Sequence, residues 1–329
     1  MVKNSRQSYW ARRKVLITGH EGFLGSWLAR SLVEQGAVVY GIDINRTKKS
    51  LILKDVRTKF QSLYGDVGNF NFVSAQISSL KPQVVFHLAA EAIVGTANKN
   101  PLKTFHANIQ GTWNILEASR GQKSIESIVV ASSDKAYGTH KKLPYTEAAA
   151  LQGEHPYDAS KSCADLICRS YFVTFGVPVS VTRCGNIYGP GDYNFSRLIP
   201  DAARSFVLNQ PFAIRSNGKF TRDYIFVKDV VAAYMLLAQR LRSLKLGGEA
   251  FNFSCETPIS VLDLFKKLQH MAGRNTPPQI LNQAKNEIPH QYLSSAKAKK
   301  ILKWKPQYSL SEGLQETIAW YKTHLDRMS

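Results

Sequence analysis

Apolar runs alternate with amphipathic segments along the first half of the chain. KVLITG (14–19) and AVVYGID (37–43) have the length of strands, and FLGSWLARSLVEQG (23–36) between them has helical periodicity and ends at a glycine. Further strand-like runs lie at 83–90, 127–133 and 177–186, and further helical patterns at 108–121 and 157–176. Fully apolar strands separated by helices predict an α/β fold, a Rossmann-type doubly wound parallel sheet covered on both faces.

Beyond about residue 186 the elements become shorter and more irregular. Gly, Pro and Asn interrupt the pattern at YGPGD (188–192), SNGK (216–219) and TPPQ (276–279). A sheet-like stretch, DYIFVKDV (223–230), leads into the apolar helix VVAAYMLLAQRL. These features predict a smaller, mixed α/β C-terminal domain whose segments interleave with those of the first.

Composition and charge narrow the class of protein. Of the 329 residues, 44% are apolar and 20% are charged, which excludes disorder, collagen and a coiled coil for the whole chain. The net charge of +19 indicates an anionic partner. The surplus is +8 over residues 1–165 and +11 over the rest. Because the charge is spread along the chain, it favours a small anionic ligand over nucleic acid.

The cysteines and the N-terminal segment indicate the cellular compartment of the protein. The four cysteines include no CxxC pair and indicate a reduced compartment, and no metal site is expected. The N-terminal segment is basic without an apolar stretch, and no run of about 18 apolar residues occurs anywhere. We therefore expect a cytoplasmic protein without a secretory signal or membrane insertion.

A glycine-rich turn follows the first strand. TGHEGFLG places Gly19, Gly22 and Gly25 between a buried strand and a helix, where a pyrophosphate needs close backbone and gains from the helix dipole. Asp43, at the end of the second strand, is suited to accept hydrogen bonds from ribose hydroxyls and would repel a 2′-phosphate, which favours NAD. Arg46, just downstream, leaves NADP as an alternative cofactor. The alternative to a cofactor site is a tight strand–helix turn that binds no ligand. The remaining candidate cofactor contacts near these strands are Phe23, Leu24, Asp66 and Val67.

A tyrosine and a lysine share one face of the helix predicted at 157–176. Tyr157 and Lys161 are four residues apart, and an ammonium beside a phenol favours the phenolate. Such a tyrosine can take a proton from a hydroxyl while a hydride leaves the same carbon. About 24 residues earlier, a strand ends in SSDKAYG (132–138), at the sheet edge where ligands bind.

Together TGxxGFLG, HLAA (87–90), the serine-rich strand end, YxxxK and TRDYIFVKDV (221–230) resemble the extended short-chain dehydrogenase/reductase family over nearly the whole chain. Its members act mainly on nucleotide-diphosphate sugars, as epimerases, dehydratases, decarboxylases and reductases. The resemblance implies an NAD-binding Rossmann domain at 1–186 plus 222–252 and a nucleotide-sugar-binding domain at 187–221 plus 253–329. Leu88, Ala89 and Ala90 would contact the cofactor, as would Tyr157 and Lys161.

The residues after the strand predicted at 127–133 separate the activities within this family. By the resemblance, Ser133 completes a triad with Tyr157 and Lys161, and Asp134-Lys135 is most like CDP-glucose 4,6-dehydratases. After oxidation at C4, Lys135 would remove the C5 proton and Asp134 would protonate the leaving C6 hydroxyl, before a hydride returns to C6. The alternatives are a 4-epimerase with Asp134-Lys135 as a surface pair, and a non-catalytic nucleotide- or RNA-binding relative.

Three further residues align with family positions that hold the nucleotide diphosphate: Asn186, Arg197 and Arg222. Arginine suits this role because its planar group binds phosphate through two hydrogen bonds, although Arg222 could instead pair with Asp223 or Asp229. His87 is expected to be a buried, hydrogen-bonded core histidine. By analogy with the family, the helices at 108–121 and 157–176 would form a homodimer.

Overall fold

The structure is a computed structural model that describes residues 8–47, 49–283 and 288–325. The fold consists of two compact units, each built from three stretches of the chain. The first unit contains the chain up to Ser132 together with Gly153–Thr182 and Ala233–Ala250. The second contains Ser133–Gln152, Arg183–Ala232 and the chain from Phe251 onward. The ligand predicted for each domain stays a prediction.

One seven-stranded sheet carries the α/β architecture. In order across the sheet its strands are Ala250–Phe253 (β11), Val179–Cys184 (β6), Ser127–Ala131 (β5), Val84–His87 (β4), Lys14–Thr18 (β1), Val38–Asp43 (β2) and Gln61–Tyr64 (β3). The pairings from β6 through β3 are parallel. The strand order reverses between β1 and β4, the switch point where ligands bind in open α/β sheets. The predicted Rossmann-type sheet is confirmed.

The helices follow the strands in alternation. They are Phe23–Glu34 (α1), Phe70–Leu80 (α2), Val94–Lys99 (α3), Pro101–Phe105 (α4), Gly111–Ser119 (α5), Pro156–Phe175 (α6), Leu198–Val207 (α7), Val227–Arg240 (α8), Val261–Ala272 (α9) and Leu310–His324 (α10). Among the described residues, no helix has the combination of length and apolar character that crossing a membrane requires.

The core of the first unit lies between the sheet and its helices. Leu16, Val85 and Ile128, on neighbouring strands, are fully buried there, and Ile77 of α2 and Ile115 of α5 pack into the same cluster. Burying a side chain of this kind contributes about 1.5–3 kcal/mol relative to leaving it exposed. This core fixes the strand ends from which the candidate site residues project.

The second unit contains short strands. In it Asn186–Tyr188 (β7) pairs with Tyr224–Phe226 (β10), and Gln279–Ile280 (β13) pairs with Ala213–Ile214 (β8). A three-stranded sheet has the order Ile259–Ser260 (β12), Thr221–Arg222 (β9) and His290–Gln291 (β14). The smaller mixed α/β part of the prediction is therefore confirmed.

Two predicted elements have different bounds in the structure. The stretch 223–230 is a strand only at Tyr224–Phe226, because helix α8 already begins at Val227. An apolar run such as YIFV fits either element, so the sequence pattern did not locate this boundary. The helix predicted at 108–121 is a π-helical segment, His106–Gln110, followed by α5.

Candidate active site

The glycine turn joins β1 to α1 and leaves no room for a Cβ atom at Gly19 or Gly25. Gly19 has a φ of +77°, and a Cβ atom there would lie 2.9 Å from the backbone nitrogen of Ala89. A Cβ atom on Gly25 would lie 2.0 Å from the carbonyl oxygen of Gly19. The turn therefore requires glycine at these two positions, and it places Gly19 against Leu88 and Ala89 at the end of β4.

Two aspartates stand at the carboxyl edge of the sheet beside this turn. The backbone N–H groups of Glu21 and Asn45 each donate to a different carboxylate oxygen of Asp43, both at 2.9 Å. Each oxygen keeps a second lone pair, so Asp43 is oriented and can still accept from a ribose hydroxyl. Asp66 accepts from the N–H of Gly68 at 2.8 Å, and its other oxygen lies 3.1 Å from His106 Nε2.

Glu21 is a part of this turn that the sequence did not single out. Its buried carboxylate accepts from Arg57 Nη1 at 2.6 Å and from the backbone N–H of Ser50 at 2.8 Å. Because its own N–H binds Asp43, Glu21 links the glycine turn, the end of β2 and the segment around Ser50. Glu21 and Arg57 are 36 positions apart in the sequence, and no short motif contains both. The sequence pattern therefore could not predict their contact.

Tyr157 and Lys161 lie in the first turns of α6, which begins at Pro156. Lys161 Nζ is 5.9 Å from the centre of the Tyr157 ring and donates to the carbonyl oxygen of Ala131 at 2.7 Å. Burial lowers the pKa of Lys161 to about 8, while Asp165 one turn further along acts in the opposite direction. The Ser132 hydroxyl donates to Asp165. The structure thus places the predicted tyrosine–lysine pair together at the end of β5.

Ser133, Asp134 and Lys135 form the turn that leaves β5. Ser133 Oγ accepts from the N–H of Lys135 at 3.2 Å and donates to Asp134 Oδ1 at 3.0 Å, so it caps the short 3₁₀ segment Asp134–Tyr137. Asp134 is buried, and burial raises its pKa, although the positive charge of Lys135 opposes the shift. A carboxyl group that stays protonated at higher pH is suited to act as an acid.

Gln291 is a second residue that the sequence analysis missed. Lys135 Nζ donates to its Oε1 at 2.7 Å, and its Nε2 donates to the carbonyl oxygen of Asp134 at 3.2 Å. Gln291 is 156 positions away from Lys135 and belongs to a two-residue strand, so neither spacing nor periodicity could have indicated it.

Of the predicted substrate residues, Arg222 lies close enough to Asp134 to act on its charge. The positive charge of Arg222 lowers the pKa of Asp134, against the larger effect of burial. Arg222 Nη1 donates to the carbonyl oxygens of Thr221 and Pro289, at 2.9 and 3.1 Å. Asn186 donates through its backbone N–H to the carbonyl oxygen of Asp223 at 3.1 Å.

Arg197 and His87 have different surroundings. Arg197 Nη1 donates to the buried Asp192 at 3.2 Å, at the start of α7. His87 Nδ1 lies 2.8 Å from Thr18 Oγ1, and His87 Nε2 lies 3.3 Å from Thr112 Oγ1. Burial lowers the pKa of His87 to about 3. His87 is therefore a neutral core histidine, as expected.

The residues present fit a dinucleotide. Helix α1 begins at Phe23, and the residue before it, Gly22, is the N-cap and carries no side chain to cap the helix. No acidic residue lies in the first turn of α1. The free N–H groups of a helix start attract phosphate, and the glycines let the backbone approach it. The same strand order that creates the switch point brings Asp43 to this edge.

A Rossmann sheet with this turn and a tyrosine–lysine pair defines an extended short-chain dehydrogenase/reductase that uses a nicotinamide cofactor. The chain belongs to the GDP-mannose 4,6-dehydratase family, whose model matches residues 16–317. It is accordingly an enzyme of the nucleotide-sugar 4,6-dehydratase and epimerase group, and its cofactor is NAD.

Comparison with individual proteins supports this membership. The chain is 32% identical to a CDP-glucose 4,6-dehydratase of Salmonella typhimurium, over 96% of this chain and 92% of the relative. A UDP-glucose 4-epimerase of Thermotoga maritima, solved with UDP-glucose, has a TM-score of 0.87 and 27% identity, and the match covers 95% of this chain and 99% of that one. A dTDP-glucose 4,6-dehydratase of Streptomyces venezuelae, solved with NAD, shares the fold with a TM-score of 0.88 at 24% identity, over 95% and 98% of the two chains.

Proposed function

We propose that this chain is a 4,6-dehydratase that converts a nucleoside-diphosphate hexose into a 4-keto-6-deoxy sugar, with CDP-glucose as the first substrate to test. The observation that carries the proposal is the buried Asp134, whose pKa burial raises, followed directly by Lys135. Elimination of water needs an acid and a base on neighbouring carbons, whereas epimerisation at C4 needs neither at C5 and C6. The similarity to a CDP-glucose 4,6-dehydratase supports the choice of substrate.

The chain's residues take the following roles. Tyr157 accepts the proton of the sugar C4 hydroxyl, and the ammonium of Lys161 favours its phenolate. Ser133 donates a hydrogen bond to the C4 oxygen. NAD, when bound, supplies the oxidising and reducing chemistry at C4 and C6 and is regenerated in each turnover.

The elimination requires Asp134 and Lys135. Oxidation at C4 makes the C5 proton acidic, and the neutral amine of Lys135 takes that proton. Asp134 gives its proton to the C6 hydroxyl, which leaves as water. Lys135 then returns its proton to C5. The proton that Tyr157 took from the C4 hydroxyl is released to solvent and Asp134 takes one up from solvent, so all three groups are reset. Arg222 is the principal candidate to bind the diphosphate, with Asn186 and Arg197 in supporting positions.

A panel of CDP-, dTDP-, GDP- and UDP-hexoses tests the proposal. We expect the purified enzyme to form a 4-keto-6-deoxy product, detected by NMR, from CDP-glucose before the others. Formation of a 4-epimer without that product would show the 4-epimerase activity of other relatives and would contradict the proposal. RNA binding that falls with salt, with no turnover of any sugar, would favour the non-catalytic alternative.

We also propose that the protein is a homodimer through its α4–α5–α6 face. Leu166 and Val173 of α6 lie two turns apart and are 59% and 69% exposed, and Leu102 of α4 is 81% exposed. Trp113 of α5 adds a half-exposed aromatic ring. Exposed large apolar residues grouped on packed helices are typical of a surface that another protein covers, and the family resemblance supports a second copy.

A further inference from the structure

Gln291 is held in the second unit by two hydrogen bonds to the candidate acid–base turn. Its side chain is 1% exposed, so both polar ends need partners. The carbonyl end accepts from Lys135 Nζ at 2.7 Å, and the amide nitrogen donates to the backbone oxygen of Asp134 at 3.2 Å. One side chain therefore fixes the amine of Lys135 and the backbone of its neighbour together.

The backbone around Gln291 is also fixed. Strand β14 pairs in parallel with β9, so Gln291 lies opposite Arg222 and His290 lies opposite Thr221. The next residue, Tyr292, accepts through its carbonyl oxygen from the N–H of Tyr145 at 3.0 Å. Side chains along a strand alternate between its two faces, so His290 points to the face opposite that of Gln291. His290 is exposed, and its Nδ1 lies 2.9 Å from Thr221 Oγ1.

An amide is well suited to position a lysine that must act as a base. A neutral amine can donate one N–H to the amide oxygen while its lone pair points elsewhere. A carboxylate in the same place would favour the ammonium, which has no lone pair. Gln291 thus orients Lys135 without adding a charge that would keep it protonated.

We propose that Gln291 is a positioning residue for the elimination, which aims the amine of Lys135 at the sugar C5 proton and holds the backbone of Asp134 in register with it. This inference rests on the proposed function, because it assigns Gln291 a role only in the step that Lys135 performs. It adds a residue from the last quarter of the chain to the acid–base turn at residues 133–135.

Two substitutions test this role. Gln291→Glu keeps the length of the side chain and adds a negative charge, and Gln291→Leu removes both hydrogen bonds at a similar volume. His290→Ala is the control, because it alters the same strand on its other side. For each variant we would measure C4 oxidation from the absorbance of reduced nicotinamide, C5 exchange with deuterated solvent, and product formation across a range of pH.

We expect both Gln291 variants to oxidise C4 at the rate of the wild type. The Leu variant should lose C5 exchange and product formation by roughly ten- to a hundred-fold at every pH. The Glu variant should lose both near neutral pH and recover as the pH rises, because its carboxylate holds Lys135 protonated. His290→Ala should behave as the wild type.

Full elimination in Gln291→Leu, or a Glu variant whose pH profile matches that of the wild type, would overturn the role of Gln291. If the Glu variant does not fold, as judged by its thermal unfolding, the Leu variant alone decides. These failures differ from failure of the proposed function: an inactive Lys135→Met with a fully active Gln291→Leu removes only Gln291, whereas a wild type that forms no 4-keto-6-deoxy sugar removes the dehydratase assignment.

Discussion

At the scale of single residues, burial shifts the pKa values of an acidic and a basic group in opposite directions. Burial raises the pKa of Asp134, whereas burial lowers the pKa of Lys161 to about 8. In both cases burial disfavours the charged form. Asp134 therefore keeps its proton to higher pH, whereas Lys161, with a pKa of about 8, still carries the ammonium near neutral pH. Lys135 is less buried than Asp134 and is tied to a neutral amide.

Replacing Lys135 by methionine tests the base directly. Methionine has a similar length and no amine, so the C5 proton stays in place once C4 has been oxidised. We expect reduced nicotinamide to accumulate on the enzyme while product formation falls by roughly 10²–10⁴-fold. Absorbance and NMR of the products measure the two effects. Lys141→Met, at an exposed lysine, is the control, and undiminished turnover by Lys135→Met would remove Lys135 from the mechanism.

Asp223 gives a prediction about stability and pH. Burial raises its pKa from 3.8 to about 6, and Ser254 donates to its carboxylate. Since the folded-state value exceeds the unfolded one, the stabilising contribution of the protonated group is present below pH 3.8 and is lost as the pH rises through about 6. Asparagine cannot ionise.

We therefore expect the free energy of unfolding of Asp223→Asn, relative to the wild type, to increase by about 2 kcal/mol between about pH 4 and about pH 8. Urea unfolding at the two pH values measures this difference. Asp55→Asn, at an exposed carboxylate, should show the same difference at both. A pH-independent offset for Asp223→Asn would contradict the prediction.

At the scale of elements, the glycine turn is a tightly constrained connection in the first unit. A methyl group on Gly25 would meet the carbonyl oxygen of Gly19, so Gly25→Ala must displace the start of α1. We expect a loss of stability on the order of 1–3 kcal/mol and loss of bound NAD. Thermal unfolding and the cofactor content of the purified protein measure these effects.

Gly95 offers a matched control for that substitution. It lies in α3, and a Cβ atom there would meet no other atom within 4 Å. Gly95→Ala should retain NAD and should stabilise the helix by about 0.5–1 kcal/mol. If both variants retain NAD equally, the geometry of the turn does not govern binding of the cofactor.

Much of the sheet could be predicted because its information is local. Three neighbouring segments carry this information: the strand KVLITG, its glycine turn and the helix after it. The strand shows an apolar run, the turn shows its glycines, and the helix shows a period of about 3.6 residues in its apolar positions. Beyond this part of the chain the information is less local. Strands β9 and β14 have two residues each, too few to show a period, and Gln291 reaches its position through pairing with Arg222. The sequence therefore predicted Ser133, Tyr157 and Lys161 as a set but gave no sign of the glutamine.

At the scale of the whole molecule, the exposed apolar face on α4, α5 and α6 predicts the oligomeric state. Leu166→Glu would place a charge in the proposed interface, which costs several kcal/mol when the charge has no partner. We expect sedimentation velocity to show a dimer for the wild type and a monomer for this variant at micromolar concentration. Leu208→Glu, at an exposed leucine in the second unit, should remain dimeric. A monomeric wild type would contradict the proposed dimer.

The net charge of +19 also belongs to this scale. A diphosphate and a dinucleotide account for only a few of the basic residues. Several lysines lie around the π-helical segment Ala298–Leu302, where Lys299 and Lys300 are exposed while Ala298 and Leu302 are buried. The exposed lysines therefore lie on the solvent side of a segment whose apolar residues pack inward.

The interval of 156 positions between Lys135 and Gln291 has a consequence for the order of events on the ribosome. Translation adds about 5–20 residues per second, so roughly 8–30 s separate synthesis of the two side chains. Throughout that interval the glycine turn and most of the parallel sheet can already form in the nascent chain. The part that would hold NAD thus precedes the part that aims the base, and a ribosome stalled before residue 289 would carry a polypeptide with a formed cofactor turn and no complete site for elimination.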